Sequence, residues 1–231
     1  MRHRSLRLAQ VCAIVVITVA GLCPVGARAT LLFPLNTTFN GVQPTSAPPY
    51  LTAIFSTVAP GTVHLSLTSS LSTSSEFFSA VAFNVSPTIP PSSLTVTPFT
   101  GNSGFTNPTV QASVDNAQNL PGGGAEGSGF DILLSFSTAP TSALFNGTDI
   151  ANFLITGGST LTENDFNVLS TPTQGAPLVI AAEVQGIPCT AGPNCVAGFT
   201  SGAVTAPEPV SMALLGFGLL GIEAARRFRR C

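Results

Sequence analysis

Apolar and polar residues alternate along several short stretches of this chain. The alternation has a period of two, and it occurs in residues 63–68, 77–85, 130–136 and 178–184. A period of two is typical of β-strands that bury one face. Proline and glycine clusters such as Pro48-Pro49 and Gly157-Gly158 separate the stretches and mark turns. The pattern predicts an all-β fold, a single antiparallel β-sandwich of jelly-roll-like type.

One short helical turn is predicted at the sequence TENDF. Thr162 can accept a hydrogen bond from the backbone amide of Asp165, and the Asp165 carboxylate can reply as in a capping box. Glu163 and Asp165 could also be taken for a carboxylate pair for glycoside cleavage or for a calcium site. Because no D-x-D-x-D-G run is present, we interpret these two carboxylates as structural.

Positive charge is confined to the two ends of the chain. The eight basic side chains are Arg2, Arg4, Arg7, Arg28, Arg226, Arg227, Arg229 and Arg230. Residues 30–205 therefore form an acidic body without lysine or arginine. Because these two side chains provide most of the affinity for phosphate groups, we expect no nucleic-acid partner and no phosphate-ester substrate. Burial, backbone hydrogen bonds and hydroxyl groups must hold the fold together.

The first 29 residues have the three parts of a secretory signal peptide. Arginines precede an apolar run at 8–23, and Ala27 and Ala29 provide the small residues of an A-x-A step. We predict cleavage after Ala29. An N-terminal membrane anchor is the alternative, but the run is shorter than the roughly 20 residues that span a bilayer.

Cys189 and Cys195 are the only cysteines of the body. In an exported chain they are predicted to form a disulfide, because the compartment permits oxidation and the sequence Gly-Pro-Asn between them can turn the chain. A zinc site is the competing interpretation. Such a site needs about four ligands, and His64 is the only histidine that remains after removal of the signal peptide. We predict no metal site and no cofactor.

Motifs for nucleophilic catalysis are absent from the sequence. No G-x-S-x-G occurs, and His64 lies in an alternating strand pattern without a nucleophile motif nearby. The glycine run at 122–124 is not followed by the lysine or the helix pattern of a phosphate-binding loop. We therefore predict that the body is not an enzyme.

The C-terminal segment combines an apolar run with a cationic end. Residues 210–222 would form a helix about 20 Å long, shorter than the ~30 Å hydrocarbon core of a membrane. Extension of this helix to residue 225 takes in Glu223, which can pair with the arginines one helical turn later. We predict a marginal transmembrane helix. We expect the positive end of this helix to stay in the cytoplasm, which leaves the body on the outer side of the membrane. The residues of this positive end are Arg226, Arg227, Arg229 and Arg230.

Pro207, Glu208 and Pro209, the apolar run and the terminal arginines together resemble a PEP-CTERM sorting signal of exported proteins in Gram-negative bacteria. The resemblance implies recognition by an exosortase, a membrane-embedded processing enzyme, after a transient stay in the inner membrane. It also implies release or attachment at the cell surface, and an association with exopolysaccharide or biofilm matrix. Glu223 within the apolar run and Cys231 after the arginines depart from this pattern.

These observations divide the chain into a signal peptide (1–29), a β-rich exported domain (30–199), a linker (200–206) and a sorting segment (207–231). We predict an exported, non-catalytic surface or matrix protein. A carbohydrate- or calcium-binding β-sandwich module is the alternative, although the chain offers no tryptophan and a single tyrosine for sugar stacking. A secreted hydrolase is less favoured and would need two carboxylates facing one cleft.

Overall fold

The alternating segments of the sequence form antiparallel β-strands in the computed structural model. This structure describes residues 30–71, 75–99, 101–112, 116–147 and 149–188, and the backbone of 198–202. The strands are β1 (Thr30–Asn40), β2 (Leu51–Ala59), β3 (Thr62–Ser69), β4 (Phe77–Phe83), β5 (Thr95–Pro98), β6 (Thr109–Ala112), β7 (Ile132–Ser135), β8 (Phe145–Asn146), β9 (Ile150–Thr156), β10 (Ile180–Gln185) and β11 (Gly198–Gly202). The helical elements in the same residues are three short 3-10 helices, Pro91–Ser93, Thr141–Ala143 and Glu163–Phe166. The predicted all-β antiparallel fold is confirmed.

The strands follow one another in one hydrogen-bonded ladder, in the order β5-β9-β3-β2-β1-β11-β10-β4-β7-β6, and β8 pairs with β4. β1 joins the two halves of this ladder, because its residues 30–35 pair with β2 and its residues 35–40 pair with β11. The pairing with β11 is irregular, as is common where a strand bends. We call β5, β9, β3 and β2 the first half of the sheet, and β11, β10, β4, β7 and β6 the second half.

The inner sides of the two halves pack against each other. Phe55 of β2 and Phe83 of β4 would lie about 19 Å apart in a flat sheet, since four spacings of about 4.8 Å separate their strands. Their ring centroids are only 5.4 Å apart. Phe166 stacks on Phe55 at 4.7 Å and meets Phe83 edge-on at 5.9 Å. The sheet therefore folds over on itself, and burial of these rings stabilises a body that has no lysine or arginine for ion pairs.

The outward side of the second half carries a second, smaller core. Its members are Ala80, Ala82, Leu133 and Ala181 of the sheet and Leu120 and Phe130 of residues 116–130. We call this side the covered face and residues 116–130 the covering segment. Backbone hydrogen bonds fold the segment, since Gln118 and Phe130 exchange two bonds of 2.8 and 3.0 Å. The glycine run at 122–124 thus belongs to a segment that packs on the sheet.

A β-bulge in β4 changes the predicted side-chain phase of one strand. The sequence pattern places Phe77 and Phe83 on the same face. The register against β10 slips at Ser79, however, and Phe78 joins Phe83 in the main core. A bulge adds one residue to a strand and so reverses the alternation beyond it. Phe130 also departs from its pattern, because it precedes β7 and packs on the covered face.

β11 extends the sheet beyond the predicted end of the exported domain at residue 199. It pairs with both β1 and β10 and ends at Gly202, so the first residues of the predicted linker (200–206) belong to the ladder. Glycine, serine and threonine provide no apolar alternation there. Backbone hydrogen bonds to two neighbouring strands, which the local sequence cannot reveal, determine this strand.

Candidate functional site

The outward side of the first half is open to solvent. Backbone register aligns Ser56, His64, Leu154 and Thr97 in one row across β2, β3, β9 and β5. Because side chains alternate along a strand, residues two positions away also point outward. The hydroxyl residues on this side are Thr52, Ser56, Thr62, Ser66, Thr68, Thr95, Thr97 and Thr156, all half-buried or exposed. We call this side the open face.

A groove of about 580 Å³ lies on the open face. Its lining residues are Val58, Thr62, His64, Phe99, Asn152 and Leu154. The Phe99 side chain is 45% exposed, although it is large and apolar. The His64 ring meets the Phe99 ring edge-on, with centroids 5.8 Å apart. The groove therefore presents an accessible aromatic surface next to an imidazole.

Backbone and amide hydrogen bonds fix the position of Phe99. The Phe99 amide donates to the Asn152 carbonyl at 2.8 Å, one residue after β5 ends. Farther along the loop, the Asn102 side chain donates to that carbonyl at 3.0 Å and accepts from the Asn152 amide at 2.9 Å. The side-chain amide of Asn102 thus forms the hydrogen bonds with Asn152 that a backbone group of a neighbouring strand would otherwise form. This bonding holds the loop, and with it one wall of the groove, against the sheet.

Two polar side chains of the groove retain hydrogen-bonding capacity. The side-chain amide of Asn152 and the ring nitrogens of His64 make no hydrogen bond to any group in the described residues. Among the lining residues that the structure describes, there is no carboxylate, lysine or arginine. The arrangement can bind an uncharged molecule through one aromatic surface and at least two hydrogen-bonding groups.

Asp131 lies in a second cavity, of about 180 Å³, beside Leu169. The carboxylate is buried, with 6% of the residue exposed. One of its oxygens accepts from the Val85 amide at 3.0 Å and the other from the Asn116 amide at 2.9 Å. Asp131 therefore connects the start of the covering segment to the chain that follows β4, which is a structural role.

Glu163 and Asp165 are held by local hydrogen bonds in the 3-10 helix after β9. Asp165 accepts from the Thr162 amide at 2.8 Å and from the Thr162 hydroxyl at 3.0 Å, and the predicted capping box is present. The Thr57 hydroxyl donates to the buried Glu163 carboxylate and accepts from the Glu163 amide at 2.9 Å. Asn164 donates to the other carboxylate oxygen at 2.9 Å. Both carboxylates make structural contacts.

Carboxylates are not paired in the three cavities described here. Asp131 lines one, Glu126 lines another of about 200 Å³ beside Phe39, and the described lining of the groove has none. Among the described residues, no group of three or more His, Cys, Asp or Glu is placed to hold a metal ion. Of these three cavities, the groove on the open face has the most favourable chemistry for a ligand.

Comparison with known proteins identifies the C-terminal segment. Residues 205–230 match the family model of the PEP-CTERM protein-sorting motif. The chain carries this sorting motif. The PEP-CTERM motif implies export to the cell surface with processing by exosortase, a membrane enzyme. Neither a curated protein nor a solved structure matches the chain.

The residues predicted for sorting and maturation lie outside the described residues. They are Pro207, Glu208 and Pro209 of the PEP-CTERM motif, Arg226, Arg227, Arg229 and Arg230 at its end, Cys189 and Cys195 of the predicted disulfide, and Ala27 and Ala29 of the predicted signal cleavage. The helices that the structure describes include none that is long and apolar enough to cross a membrane. The transmembrane helix at 210–225 is outside those residues and stays a prediction.

Sequence reasoning did not find the groove. The alternation at 63–68 places His64 on an outward position of a strand, as observed, but it does not indicate which residue lies beside His64. Phe99 follows β5, and β5 reaches His64 only because β9 pairs with both β5 and β3. A short alternating stretch at 95–98 was the available signal, and it does not specify which strand is its neighbour.

Proposed function

We propose that this chain is an exported, non-catalytic protein of the surface or extracellular matrix of a Gram-negative bacterium. The observation that carries the proposal is the PEP-CTERM motif at residues 205–230. In this proposal the signal peptide (1–29) starts export, and the C-terminal segment holds the chain briefly in the inner membrane. An exosortase-type enzyme then removes the tail. The body is released or attached at the cell surface in association with exopolysaccharide or biofilm.

The distribution of charge supports this route. The cationic cluster near the C-terminus favours the cytoplasmic side of a membrane, and the body between residues 30 and 205 has no lysine or arginine to oppose export. Pro207 and Pro209 restrict the backbone on both sides of Glu208 and disfavour helix there. An extended, acidic peptide beside the membrane is a suitable substrate for a processing enzyme.

For the body we propose a jelly-roll-like β-sandwich without catalytic activity. The contact between Phe55 and Phe83 across the folded sheet supports the sandwich. Cavities with at most one carboxylate each support a non-catalytic role. The hydroxyl-rich open face suits contact with a hydrated polysaccharide.

The test compares Glu208→Gln with Glu126→Gln, which removes the same charge from the body. Intact-mass spectrometry of chain recovered from the medium and the cell surface measures both termini. We expect the unaltered chain and Glu126→Gln to lack residues 1–29 and the arginine tail. Glu208→Gln should keep the tail and stay in the membrane fraction, because the processing enzyme loses the acid between the two prolines. Unaltered surface protein that still carries Arg226 to Arg230 would contradict the proposal.

A second candidate function is a carbohydrate-binding module, and the groove with Phe99 and His64 favours it. A calcium-binding module has less support, because the described residues provide no cluster of three acidic or metal-ligating side chains. A secreted hydrolase has the least support, since Glu163 and Asp131 are already hydrogen-bonded and lie apart from the groove. Glycan binding with and without added calcium separates the two binding modules, and release of reducing sugar reports hydrolysis.

A further inference from the structure

The groove on the open face has the composition of a small-ligand site. Its volume of about 580 Å³ falls within the roughly 300–1,000 Å³ that is usual for such sites, and its lining is apolar with a few polar groups. Phe99 is 45% exposed there, whereas the aromatic rings between the two halves of the sheet are buried. Together with Val58 and Leu154, the exposed Phe99 ring forms a concave apolar surface that a ligand can cover.

Charge and hydrogen bonding restrict the class of ligand. The described residues that line the groove include no Asp, Glu, Lys or Arg, so they offer no paired charge to a carboxylate, a phosphate or an amine. The side-chain groups of Asn152 and His64 match a ligand that both donates and accepts hydrogen bonds. The hydroxyl groups of Ser66 and Thr97, on the surrounding open face, favour a ligand that stays hydrated on its outer side. An aliphatic chain is uncharged, but it cannot form the hydrogen bonds or stay hydrated on its outer side.

We propose that this groove binds a neutral saccharide, with the ring of Phe99 against the apolar C–H side of one sugar unit. Asn152 and His64 bond to hydroxyl groups of the same unit. The bonds from Asn102 and the Phe99 amide to Asn152 hold the backbone at Phe99 in place before binding, which reduces the entropy cost of association. The inference rests on the proposed function in that the body meets polysaccharide outside the cell.

The composition of the chain provides a reporter inside the groove. His3 lies in the predicted signal peptide, so His64 is the only histidine of the processed chain. Selective isotope labelling of histidine therefore yields a single ring signal in an NMR spectrum. The probes are neutral gluco-, manno- and galacto-oligosaccharides, with oligogalacturonate as the acidic counterpart. We expect a saturable change of the His64 signal with at least one neutral oligosaccharide and none with oligogalacturonate.

Variants of Phe99 test the contact itself. Phe99→Ala should weaken binding by about tenfold, and Phe99→Tyr should retain it because the ring remains. Leu169→Ala is the matched control, since Leu169 is an exposed apolar residue at the separate Asp131 cavity, and binding should be unchanged. Circular dichroism of each variant shows whether the fold is retained. Asn152→Asp, which places a negative charge in the groove, should also weaken binding.

Three results would overturn the inference. The first is a His64 signal that no saccharide changes, and the second is equal binding by folded Phe99→Ala. The third is a signal that changes with protein concentration alone, which would make a second copy of this chain the occupant. Failure of the sorting proposal has a different signature, the retained arginine tail. In that case the same titration is carried out on the tail-bearing chain in lipid nanodiscs, where His64 is still the only histidine after the predicted removal of residues 1–29.

Discussion

The open face and the covered face are the two outward sides of one folded sheet, yet they differ in composition and in burial. Small apolar residues such as Ala82 and Ala181 form the covered face, and Phe130 packs into the space they leave. Hydroxyl residues such as Ser66 and Thr68 form the open face, where water can satisfy them. Small apolar side chains thus leave room for a segment to pack on the covered face, whereas half-buried hydroxyl residues keep the open face in contact with water.

Hydrogen bonds attach both ends of the covering segment to the rest of the body. Asp131 accepts hydrogen bonds from the Val85 and Asn116 amides at the start of the segment. Near its end, the Gly129 carbonyl accepts from the Thr171 amide at 3.1 Å. These bonds make the segment part of the folded body, so changes in it are expected to alter stability. Changes on the open face are expected to alter binding.

The largest effect is expected for Phe130→Ala on the covered face. Phe130 is fully buried, and its truncation should lower the free energy of unfolding by about 3–5 kcal/mol, because the cavity and the lost burial both contribute. Leu154→Ala on the open face should cost less than about 1 kcal/mol, since Leu154 is only half-buried. Urea unfolding followed by circular dichroism measures both. Equal losses would mean that the segment does not pack on the sheet.

Gly129→Ala should detach the end of the covering segment. Gly129 has φ of +78°, and a methyl group there would overlap the Thr171 carbonyl. We expect a loss of about 2 kcal/mol or more. Glutamyl endopeptidase should then cleave faster after Glu126, which lies within the segment. Gly158→Ala is the control, because Gly158 has no atom within 4 Å of the added methyl position, and its cleavage rate should not change.

A smaller effect of opposite sign is expected for Glu183→Met. Glu183 is buried in β10 and accepts one bond from Gln185 at 2.9 Å. Its other oxygen has no hydrogen-bond partner in the part of the chain that the structure describes. Replacement by an apolar side chain should raise the free energy of unfolding by about 1 kcal/mol. Glu163→Met should lower it, because Thr57 and Asn164 lose their partner. A loss in both variants would contradict this account.

Local features of the fold were predictable from the sequence. Alternation at 63–68 identified β3 because the signal lies within the strand itself. The capping box between Thr162 and Asp165 was predictable for the same reason, since three residues separate its members. The structural interpretation of Glu163 also agrees with its contacts to Thr57, although the sequence contains no indication of that partner.

Features that depend on distant pairing were not predictable. The bulge at Ser79 arises from the register between β4 and β10, about a hundred residues apart in sequence. The groove requires Phe99 to approach His64, and this contact depends on β9, which lies later in the chain than both. The packing of the covering segment on Ala80 was also not predictable, because a glycine-rich stretch has no alternation of apolar and polar residues.

The position of β1 between the two halves has a consequence for secretion. A chain that crosses a membrane from its N-terminus exposes residues 30–40 early, whereas their partner strand at 198–202 arrives among the last parts of the body. Residues 35–40 therefore wait without their native neighbour for most of the crossing, and closure of this long loop is entropically slow. In the proposed export route, final closure of the sheet waits for residue 202, which directly precedes the sorting motif at residues 205–230.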